Sequence, residues 1–307
     1  MSQSTPKIPK ISVVMAVYNS TRYLQESVES VLNQTLNDFE FIIIDDGSTD
    51  ASWEMLRDYA TQDSRIKLVR NERNLGLTKS LNRGLQLTQG EYIARHDADD
   101  VALSERFAHQ VTFLRSHPEV VCLGTGQEWI DEEGDVLIQW QPTPNNEALQ
   151  RLLLSGHNHI CHPSAMMRRD TVLKVGGYDE TLRSAQDLDL WLKLGEIGQL
   201  ANLPDILLRY RVHSNSVSEK KVKQQAENAQ EACRRAWKRR GIAGCYEVSD
   251  SWRHSFILRC GWHLFNNGRR RKAIAHGVRA IKAIPHNLEG WRLLTCALIK
   301  PLPEGQP

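Results

Sequence analysis

Two short acidic segments contain the residues best suited to chemistry in this 307-residue chain. The first is Asp45–Asp50 (DDGSTD) and the second is His96–Asp100 (HDADD). Each follows an apolar run, Phe41–Ile44 or Tyr92–Ala94, that is typical of a strand buried on both faces of a parallel sheet. Ligands bind at the carboxyl ends of such strands, and carboxylates gathered there repel one another unless a cation joins them. Because Mg²⁺ and Mn²⁺ prefer oxygen ligands, the pattern predicts a divalent metal and the phosphates that it neutralises.

The segments around these turns alternate between strand and helix patterns, which indicates βαβ units and a parallel sheet. The predicted strands are Ile11–Val17, Phe41–Ile44, Ile66–Val69 and Tyr92–Ala94. The predicted helices are Tyr23–Leu32, Trp53–Ala60 and Leu77–Leu87. The turn after the first strand lacks the GxGxxG pattern, which weighs against a dinucleotide-binding fold.

The middle of the chain continues as a mixture of strands and helices. The predicted strands are Val120–Leu123, Val136–Trp140, His162–Met167 and Leu207–Val212. The predicted helices are Glu105–Ser116, Glu147–Leu154, Arg169–Val175 and Asp187–Leu194. We therefore expect an α/β domain over residues 1–218, in which about the first 100 residues form a half-sheet of the nucleotide-binding type.

The remaining residues, 219–307, read as a basic helical extension. Lys220–Pro307 holds 18 Lys and Arg against 6 Asp and Glu, whereas the preceding part holds 21 against 31. Six residues have a spacing that resembles one tetratricopeptide hairpin: Gly261, Leu264, Gly268, Ala273, Ala280 and Pro285. One such unit cannot bury its own apolar face, so we expect it to pack on the main domain or on a partner.

The basic runs Arg234–Arg240 and Arg269–Lys272 admit three interpretations. They are a solvated helix face, a peripheral contact with anionic lipid helped by Trp237 and Trp252, or a nucleic-acid site. No nucleic-acid-binding module is visible, so we expect no nucleic-acid partner. The chain has no apolar run near the roughly 20 residues of a membrane span and no signal-peptide pattern. The expected location is cytoplasmic, with the inner face of the membrane as a peripheral site.

Two further groups have weak metal signatures. The six cysteines are scattered without a CxxC pair, which favours free thiols in a reducing compartment. His157 and His159 lack further ligands at zinc-like spacing. Neither group predicts a zinc site.

Six motifs in order carry a resemblance to a known family: Val13–Asn19 (VVMAVYN), Asp45–Asp50 (DDGSTD), Asn74–Leu77 (NLGL), Asp97–Asp100 (DADD), Gly176–Asp179 (GGYD) and Gln186–Trp191 (QDLDLW). Together they resemble an inverting family 2 glycosyltransferase of the GT-A fold, of the kind that builds bacterial polysaccharides. The resemblance covers roughly Ile11 to Ser218.

The resemblance implies a metal and nucleotide site. Asp97 and Asp99 match the DxD motif that binds Mg²⁺ or Mn²⁺, with His213 as a further metal or diphosphate ligand, and Asp100 is alternatively a helix cap. The nucleotide-binding residues implied are Ala16, Tyr18, Asp46, Lys79, Arg95, Asp97 and Arg211. For Tyr18 the alternative is core packing, and for Asp46 it is a turn-capping role.

The resemblance also implies the residues around the reacting groups. Asp187 matches the catalytic base, which takes the proton of the acceptor hydroxyl, and its alternative role is a helix N-cap. Gln186 stands where the family commonly has Glu, so one neighbouring carboxylate is lost. The acceptor or sugar residues implied are Gly176, Gly177, His162 and Trp191.

These expectations combine into one predicted function. The chain would transfer a sugar from a nucleoside-diphosphate sugar to a hydroxyl acceptor, with a lipid-linked saccharide as the acceptor class that surface polysaccharide assembly suggests. One alternative is a sugar-nucleotide pyrophosphorylase, which needs a glycine-rich basic loop that Ala16–Asn19 does not supply. The other is a sugar-nucleotide-binding scaffold without catalysis.

Overall fold

The computed structural model describes residues 8–213, 222–248 and 251–301. The predicted domain boundary at residue 218 and the side chain of Trp252 lie outside the described residues. In the described part, no helix is both long enough and apolar enough to cross a membrane.

The strands are β1 Ile11–Val17, β2 Phe39–Asp45, β3 Ile66–Arg70, β4 Tyr92–Arg95, β5 Val101–Ala102, β6 Val120–Ile130, β7 Val136–Trp140, β8 Met166–Arg168 and β9 Gln199–Arg211. The helices of the first 213 residues are α1 Thr21–Leu32, α2 Ser52–Gln62, α3 Leu77–Leu87, α4 Arg106–Ser116, α5 Asn146–Leu154, α6 Arg169–Lys174 and α7 Gln186–Leu194. The later helices are α8 Val222–Arg240, α9 Ser251–Asn266, α10 Arg270–Ala283 and α11 Leu288–Ile299.

One mixed sheet with the order β3-β2-β1-β4-β8-β6-β9-β5 runs through the described part of the chain, and β7 pairs with β6. Strands β1 to β4 are parallel to one another. All seven residues of β2 are buried, as expected for a strand with helices on both faces. The register pairs Val17 with Asp45 and Val14 with Arg95, so the two acidic turns leave the sheet at the same edge.

Strands β6 and β9 are 11 and 13 residues long, much longer than the sequence predicts. For β6 the reason is that its two glycines look like strand ends in the sequence. A Cβ on Gly124 would lie 2.1 Å from Asn202 Oδ1, and one on Gly126 would lie 2.8 Å from the Pro204 carbonyl oxygen. These glycines therefore allow two strands to approach closely, which is a known use of glycine within a sheet.

The predicted strand His162–Met167 is wrong in its first half. His162–Ser164 forms a 3₁₀ turn, and only Met166–Arg168 pairs in the sheet. Pro163 lies at the start of the turn, where its missing N–H costs nothing, whereas in a central strand it would remove a ladder hydrogen bond.

The predicted C-terminal helices are present and pack in two places. Helix α8 contributes Ala229, Ala232, Cys233 and Ala236 to the apolar core that contains α7. Helices α9 to α11 form a separate cluster that includes Cys260 and Leu293 and covers Leu137 of β7. The tail is therefore attached to the sheet through both its first helix and its last three.

Candidate active site

The second acidic turn, after β4, gathers three carboxylates. Ligand atoms of Asp97, Asp99 and Asp100 lie within 4.8 Å of one another, and they are the only such group of His, Cys, Asp or Glu within the described residues. Asp100 is buried, and its Oδ2 has no hydrogen-bond partner. The two aspartates predicted to bind metal are therefore joined by a third.

Burial and mutual repulsion both disfavour the charged forms of Asp97 and Asp100. Burial, followed by the charges of Asp99 and Asp97, raises the pKa of Asp100 well above its usual value. Burial also raises the pKa of Asp97, an effect that the neighbouring Arg95 opposes. Arg95 is only 1% exposed and donates to Asp97 Oδ1 and to the His96 carbonyl oxygen. Within the described residues, Arg95 is the one guanidinium that forms an ion pair with these three carboxylates, so the cluster fits a further cation.

Arg211, the last residue of β9, holds the same turn from the other side. Its backbone N–H donates to Asp100 Oδ1 at 2.8 Å, and its Nε donates to the Asp99 carbonyl oxygen at 3.0 Å. Asp100 thus binds Arg211 and does not cap α4. The Arg211 guanidinium is 3% exposed and lies 4.5 Å from the centre of the Tyr23 ring. This conformation gives Arg211 a positioning role and no open face for the predicted phosphate contact.

The predicted metal histidine also meets the acidic turn. His213 Nε2 lies 2.9 Å from Asp99 Oδ2, and its ring lies 5.3 Å from that of Tyr23. Three carboxylates and one imidazole fit a divalent cation such as Mg²⁺ or Mn²⁺. One of the carboxylate oxygens, Asp100 Oδ2, is buried without a partner and could be a ligand.

Asp187 lies in the first turn of α7 and accepts a hydrogen bond from Asn158 Nδ2 at 2.7 Å. Ala185, just before the helix, has a φ of 56°, in the left-handed region, which turns the chain sharply ahead of the carboxylate. Burial raises the pKa of Asp187, while backbone N–H groups at the helix start, Asn158 and Arg95 oppose the rise. A carboxylate with a raised pKa at a helix start is suited to accept a proton.

Arg95 links the acidic turn to α7. Its charge acts on both Asp97 and Asp187 and opposes the rise that burial causes in the pKa of each. It also helps to keep His162 neutral, because burial and then the Arg95 charge lower the pKa of that imidazole well below its usual value. The predicted base and the predicted metal ligands thus belong to one electrostatic environment around a buried guanidinium.

His162 is buried beneath this region and is not open to an acceptor. Its Nε2 lies 2.8 Å from the Tyr178 hydroxyl oxygen, and its ring meets Trp191 edge-on at 5.9 Å. Trp191 is 0% exposed, so the predicted contact between this residue and a sugar is corrected to a packing role behind His162. The apolar spacing of α7 requires a large buried residue at this position, and tryptophan supplies it.

The first acidic turn binds protein donors. Asp46 Oδ1 accepts from the backbone N–H of Leu75 and from Asn71 Nδ2, and Oδ2 accepts from the Gly76 N–H, at 2.7–2.8 Å. Asp45 pairs with Arg70 at 3.1 Å. Asp46 therefore fixes the Asn71–Gly76 loop, which corresponds to the turn-capping alternative and leaves little of its carboxylate for a nucleotide base.

Three other residues predicted to bind nucleotide lie at or near the ends of β1 and α3. Tyr18 follows β1 and is 45% exposed, so its ring is available for stacking. Lys79 is exposed on the first turn of α3. Ala16, in β1, is half-buried and packs against the core beside α3. Of these three, Tyr18 and Lys79 present polar groups to solvent.

The Gly176–Gly177 turn ends α6. Both glycines have positive φ, 83° and 68°, and their N–H groups bond the carbonyls of Leu173 and Val172. A Cβ on Gly177 would lie 3.0 Å from Asn82 Oδ1, whereas one on Gly176 would meet open space. The turn thus has a helix-capping role, and only Gly176 leaves room for a ligand.

Three residues near the site were not predicted from the sequence. Asn158 bonds Asp187, Tyr178 bonds His162, and Tyr23 stacks with Arg211. Tyr178 lies within the GGYD motif, so the sequence contains a signal for it. Asn158 and Tyr23 are distant in sequence from their partners and have no motif around them.

The basic runs of the tail are largely paired within the protein. Arg234 and Arg235 bond Glu231, Arg239 bonds Glu196, and Arg269 and Lys272 bond the turn at Asp131–Asp135. Trp237 donates its indole N–H to the Leu154 carbonyl at 3.0 Å. The pairs lie on a solvated helix face, because Arg234, Arg239 and Arg269 remain exposed.

Comparison with known proteins identifies the fold. The chain is similar to TarS 1–349 from S. aureus, with a TM-score of 0.61 and 18% identity over 96% of this chain and 81% of that one. It is also similar to the mannosyltransferase PcManGT from Pyrobaculum calidifontis, solved with GDP-Man and Mn²⁺, with a TM-score of 0.59 and 18% identity over 97% and 83%. At this identity the likeness establishes a GT-A architecture alone.

Sequence relatives establish the family. The uncharacterized glycosyltransferase MJ1057 of Methanocaldococcus jannaschii is 34% identical over 75% of this chain and 80% of its own length. The amylovoran biosynthesis glycosyltransferase AmsE of Erwinia amylovora is 34% identical over 68% and 79%. The profile of "Glycosyl transferase family 2" matches residues 12–176, more than half of the chain. The chain belongs to glycosyl transferase family 2.

Proposed function

We propose that this glycosyltransferase moves a sugar from a nucleoside-diphosphate sugar to a hydroxyl acceptor and inverts the anomeric centre, in the assembly of cell-surface polysaccharide or glycolipid. Two relatives support the pathway, because AmsE is named for amylovoran biosynthesis and WbnJ of Escherichia coli for O-antigen biosynthesis. The donor class is supported by TarS, which has been solved with UDP-GlcNAc, and by PcManGT, solved with GDP-Man.

The observation that carries the proposal is the clustering of Asp97, Asp99 and Asp100 beside His213, with Asp187 near the same buried Arg95. A divalent cation bound there would offset the charge that develops on the leaving nucleoside diphosphate. Asp99 and Asp97 would hold this cation with His213, and Mn²⁺ or Mg²⁺ suits their oxygen donors.

Asp187 is the base in this proposal. Its carboxylate accepts the proton of the acceptor hydroxyl as that oxygen attacks the anomeric carbon, in one in-line displacement without a covalent intermediate. Asn158 orients the carboxylate by donating to Oδ2, and the helix start stabilises its charged form. Arg95 stabilises the charges of Asp97 and Asp187 from beneath.

The nucleotide would lie across the ends of β1 and β2. Tyr18 offers an exposed ring for stacking on the base, and Lys79 offers a cation to the phosphates. Asp46 acts chiefly through the loop that it fixes. Gly176, which has open space next to its Cα, would contact the sugar or acceptor.

The test combines binding with turnover. Thermal shift with UDP-GlcNAc and GDP-Man, each with Mn²⁺ or with EDTA, identifies the donor class through ligand-dependent stabilisation. Release of nucleoside diphosphate is then measured with a panel of saccharide acceptors. Asp187→Asn should lower turnover by about 10²- to 10⁴-fold and leave the thermal shift unchanged.

The matched control is Asp170→Asn, a surface carboxylate in the first turn of another helix, which should leave turnover unchanged. Unchanged turnover in Asp187→Asn would remove Asp187 as the base. Donor binding by the wild type without any nucleotide release would instead favour a sugar-nucleotide-binding scaffold.

We also propose a peripheral contact between the tail and anionic lipid, at a different surface from the two basic runs. The outer side of α11 exposes Leu288, Trp291, Leu298 and Ile299, with Leu288 80% and Ile299 75% exposed. The exposed cations Arg279 and Lys282 lie on the neighbouring α10, and the one acid of α11, Glu289, pairs with Arg292. Exposed apolar side chains, together with exposed cations on the adjacent helix, match an anionic lipid surface.

Co-sedimentation with vesicles tests this contact. The protein should bind vesicles that contain phosphatidylglycerol and not pure phosphatidylcholine, and Trp291→Ser with Leu298→Ser should abolish binding. Leu173→Ser, which removes an apolar side chain exposed to 42% on α6, is the control. Equal binding of both vesicle types, or none, would refute an anionic lipid partner.

A further inference from the structure

The turn Asp131–Asp135 between β6 and β7 is strongly acidic and is held by the tail. It carries four carboxylates in five residues. Lys272 of α10 bonds Asp131 and Asp135 and lies 3.1 Å from a carboxylate oxygen of Glu133. Arg269 adds a bond to Asp135 at 2.9 Å. The ammonium of Lys272 is thus the common partner of three carboxylates that would otherwise repel one another.

The same turn contacts the arginine that organises the acidic site. Arg211 Nη1 donates to the Asp131 carbonyl oxygen at 3.2 Å, and Arg211 Nη2 bonds Glu26 of α1. On its other side, Arg211 binds the Asp99 carbonyl and the Asp100 carboxylate. A continuous chain of polar contacts therefore runs from Lys272 through Asp131 and Arg211 to Asp99 and Asp100.

We propose that Lys272 is a positioning residue for the metal site, acting through the Asp131–Asp135 turn and Arg211. The proposal rests on the proposed metal-dependent function. Lys272 comes from the tail, outside the matched family region, and the tail thereby takes part in forming the site. Its role differs from that of a ligand, because it contacts neither the three clustered aspartates nor His213 among the described residues.

The geometry explains why the effect should reach the metal site. Arg211 is almost fully buried, so its guanidinium cannot exchange a lost protein partner for bulk water. The Asp131 carbonyl moves with the turn, because it also accepts the Gly134 N–H at 3.1 Å. When Lys272 is lost, the carboxylates of the turn repel one another, the carbonyl shifts, and Arg211 loses a fixed partner.

The experiment measures Mn²⁺ binding and loop order directly. Binding of Mn²⁺, alone and with UDP, is followed by the electron paramagnetic resonance signal of the free ion in wild type, Lys272→Met, Lys272→Arg and Arg271→Met. Lys272→Met should weaken Mn²⁺ binding about tenfold, as for other residues that support a metal ligand. Hydrogen exchange at the Arg211 amide, which donates to Asp100, should become faster in the same variant.

Two controls separate positioning from general destabilisation. Within the described part of the chain, Arg271 makes no ion pair with the acidic turn, so Arg271→Met should bind Mn²⁺ as the wild type does. Lys272→Arg keeps the charge and should recover most of the affinity. Wild-type affinity and unchanged exchange in Lys272→Met would overturn the positioning role alone. No Mn²⁺ binding by the wild type would overturn the proposed function together with it.

Discussion

The two acidic turns have similar compositions and similar places at the sheet edge, yet they differ in how their charges are balanced. In the first turn, Asp46 accepts three hydrogen bonds and Asp45 pairs with Arg70. Each turn has one buried carboxylate oxygen without a partner, Asp45 Oδ1 or Asp100 Oδ2, but only in the second turn do three carboxylates face one another. The first turn therefore stabilises a loop, whereas the second gathers carboxylates whose arrangement fits a divalent cation. The role of a carboxylate in these turns is therefore set by the neighbouring hydrogen-bond donors and not by the acidic motif alone.

The sharpest test of this difference is Asp99→Asn. Removal of one charge from the unbalanced turn should lower turnover by about 10²- to 10⁴-fold, because stabilisation of the leaving group by the metal is worth several kcal/mol. The midpoint of thermal unfolding should stay the same or rise, since repulsion falls. Steady-state kinetics with Mn²⁺ and a thermal melt measure both effects. A melt that drops strongly would mean that Asp99, like Asp46, stabilises the fold.

The converse test is Asp46→Ala in the balanced turn. Three donors of the Asn71–Gly76 loop lose their acceptor, so the free energy of unfolding should fall by about 3 to 5 kcal/mol. Urea denaturation measures the loss. Asp46→Asn, which keeps one acceptor oxygen, is the control and should lose less. A stable Asp46→Ala protein with weakened nucleotide binding would return Asp46 to the predicted role beside the base.

The sequence predicts the first half of the fold well because each element there is locally determined. The apolar run at β1 has the same bounds in the structure as in the prediction, and helix α3 does too. It fails where a distant neighbour decides, as at Gly124, whose glycine is required by Asn202 some 80 residues later. The error at Pro163 has a local cause, because the proline starts a turn and cannot donate within a central strand.

The site residues also differ in how well the sequence predicts them. The motif predicts Asp97 and Asp99 as metal ligands, and in the structure Asp99 lies within hydrogen-bond distance of His213. The supporting contacts were not predictable, because Asn158, Tyr23 and Lys272 meet their partners only through the tertiary fold. Trp191 shows the opposite error, since its place in a motif suggested a ligand contact and its burial makes it core.

A smaller effect is expected at the other carboxylate of the balanced turn. Arg70→Met leaves Asp45 buried with the Ser48 N–H as a weak partner at 3.3 Å. Because Arg70 is 42% exposed, solvent screens the pair, and the free energy of unfolding should fall by only about 1 to 2 kcal/mol. Urea denaturation of Arg70→Met beside Arg73→Met, an exposed neighbour, measures the difference. Equal stability of the two variants would show that Asp45 does not need its cation.

Asp187 is intermediate between the carboxylates of the two turns, because it is partly buried and has one side-chain donor. Its protonation gives the smallest predicted effect. Burial raises the pKa of Asp187, and Asn158 opposes the rise by donating to the charged form. A base acts only when deprotonated, so kcat/KM should fall as the pH drops through the pKa of Asp187. In Asn158→Ala this acid limb should move to higher pH by about one unit or less, with a similar plateau at high pH. Asn158→Ser, which keeps a donor, should move it less. An acid limb that stays in place, or that moves to lower pH, would show that the titrating base is a group other than Asp187.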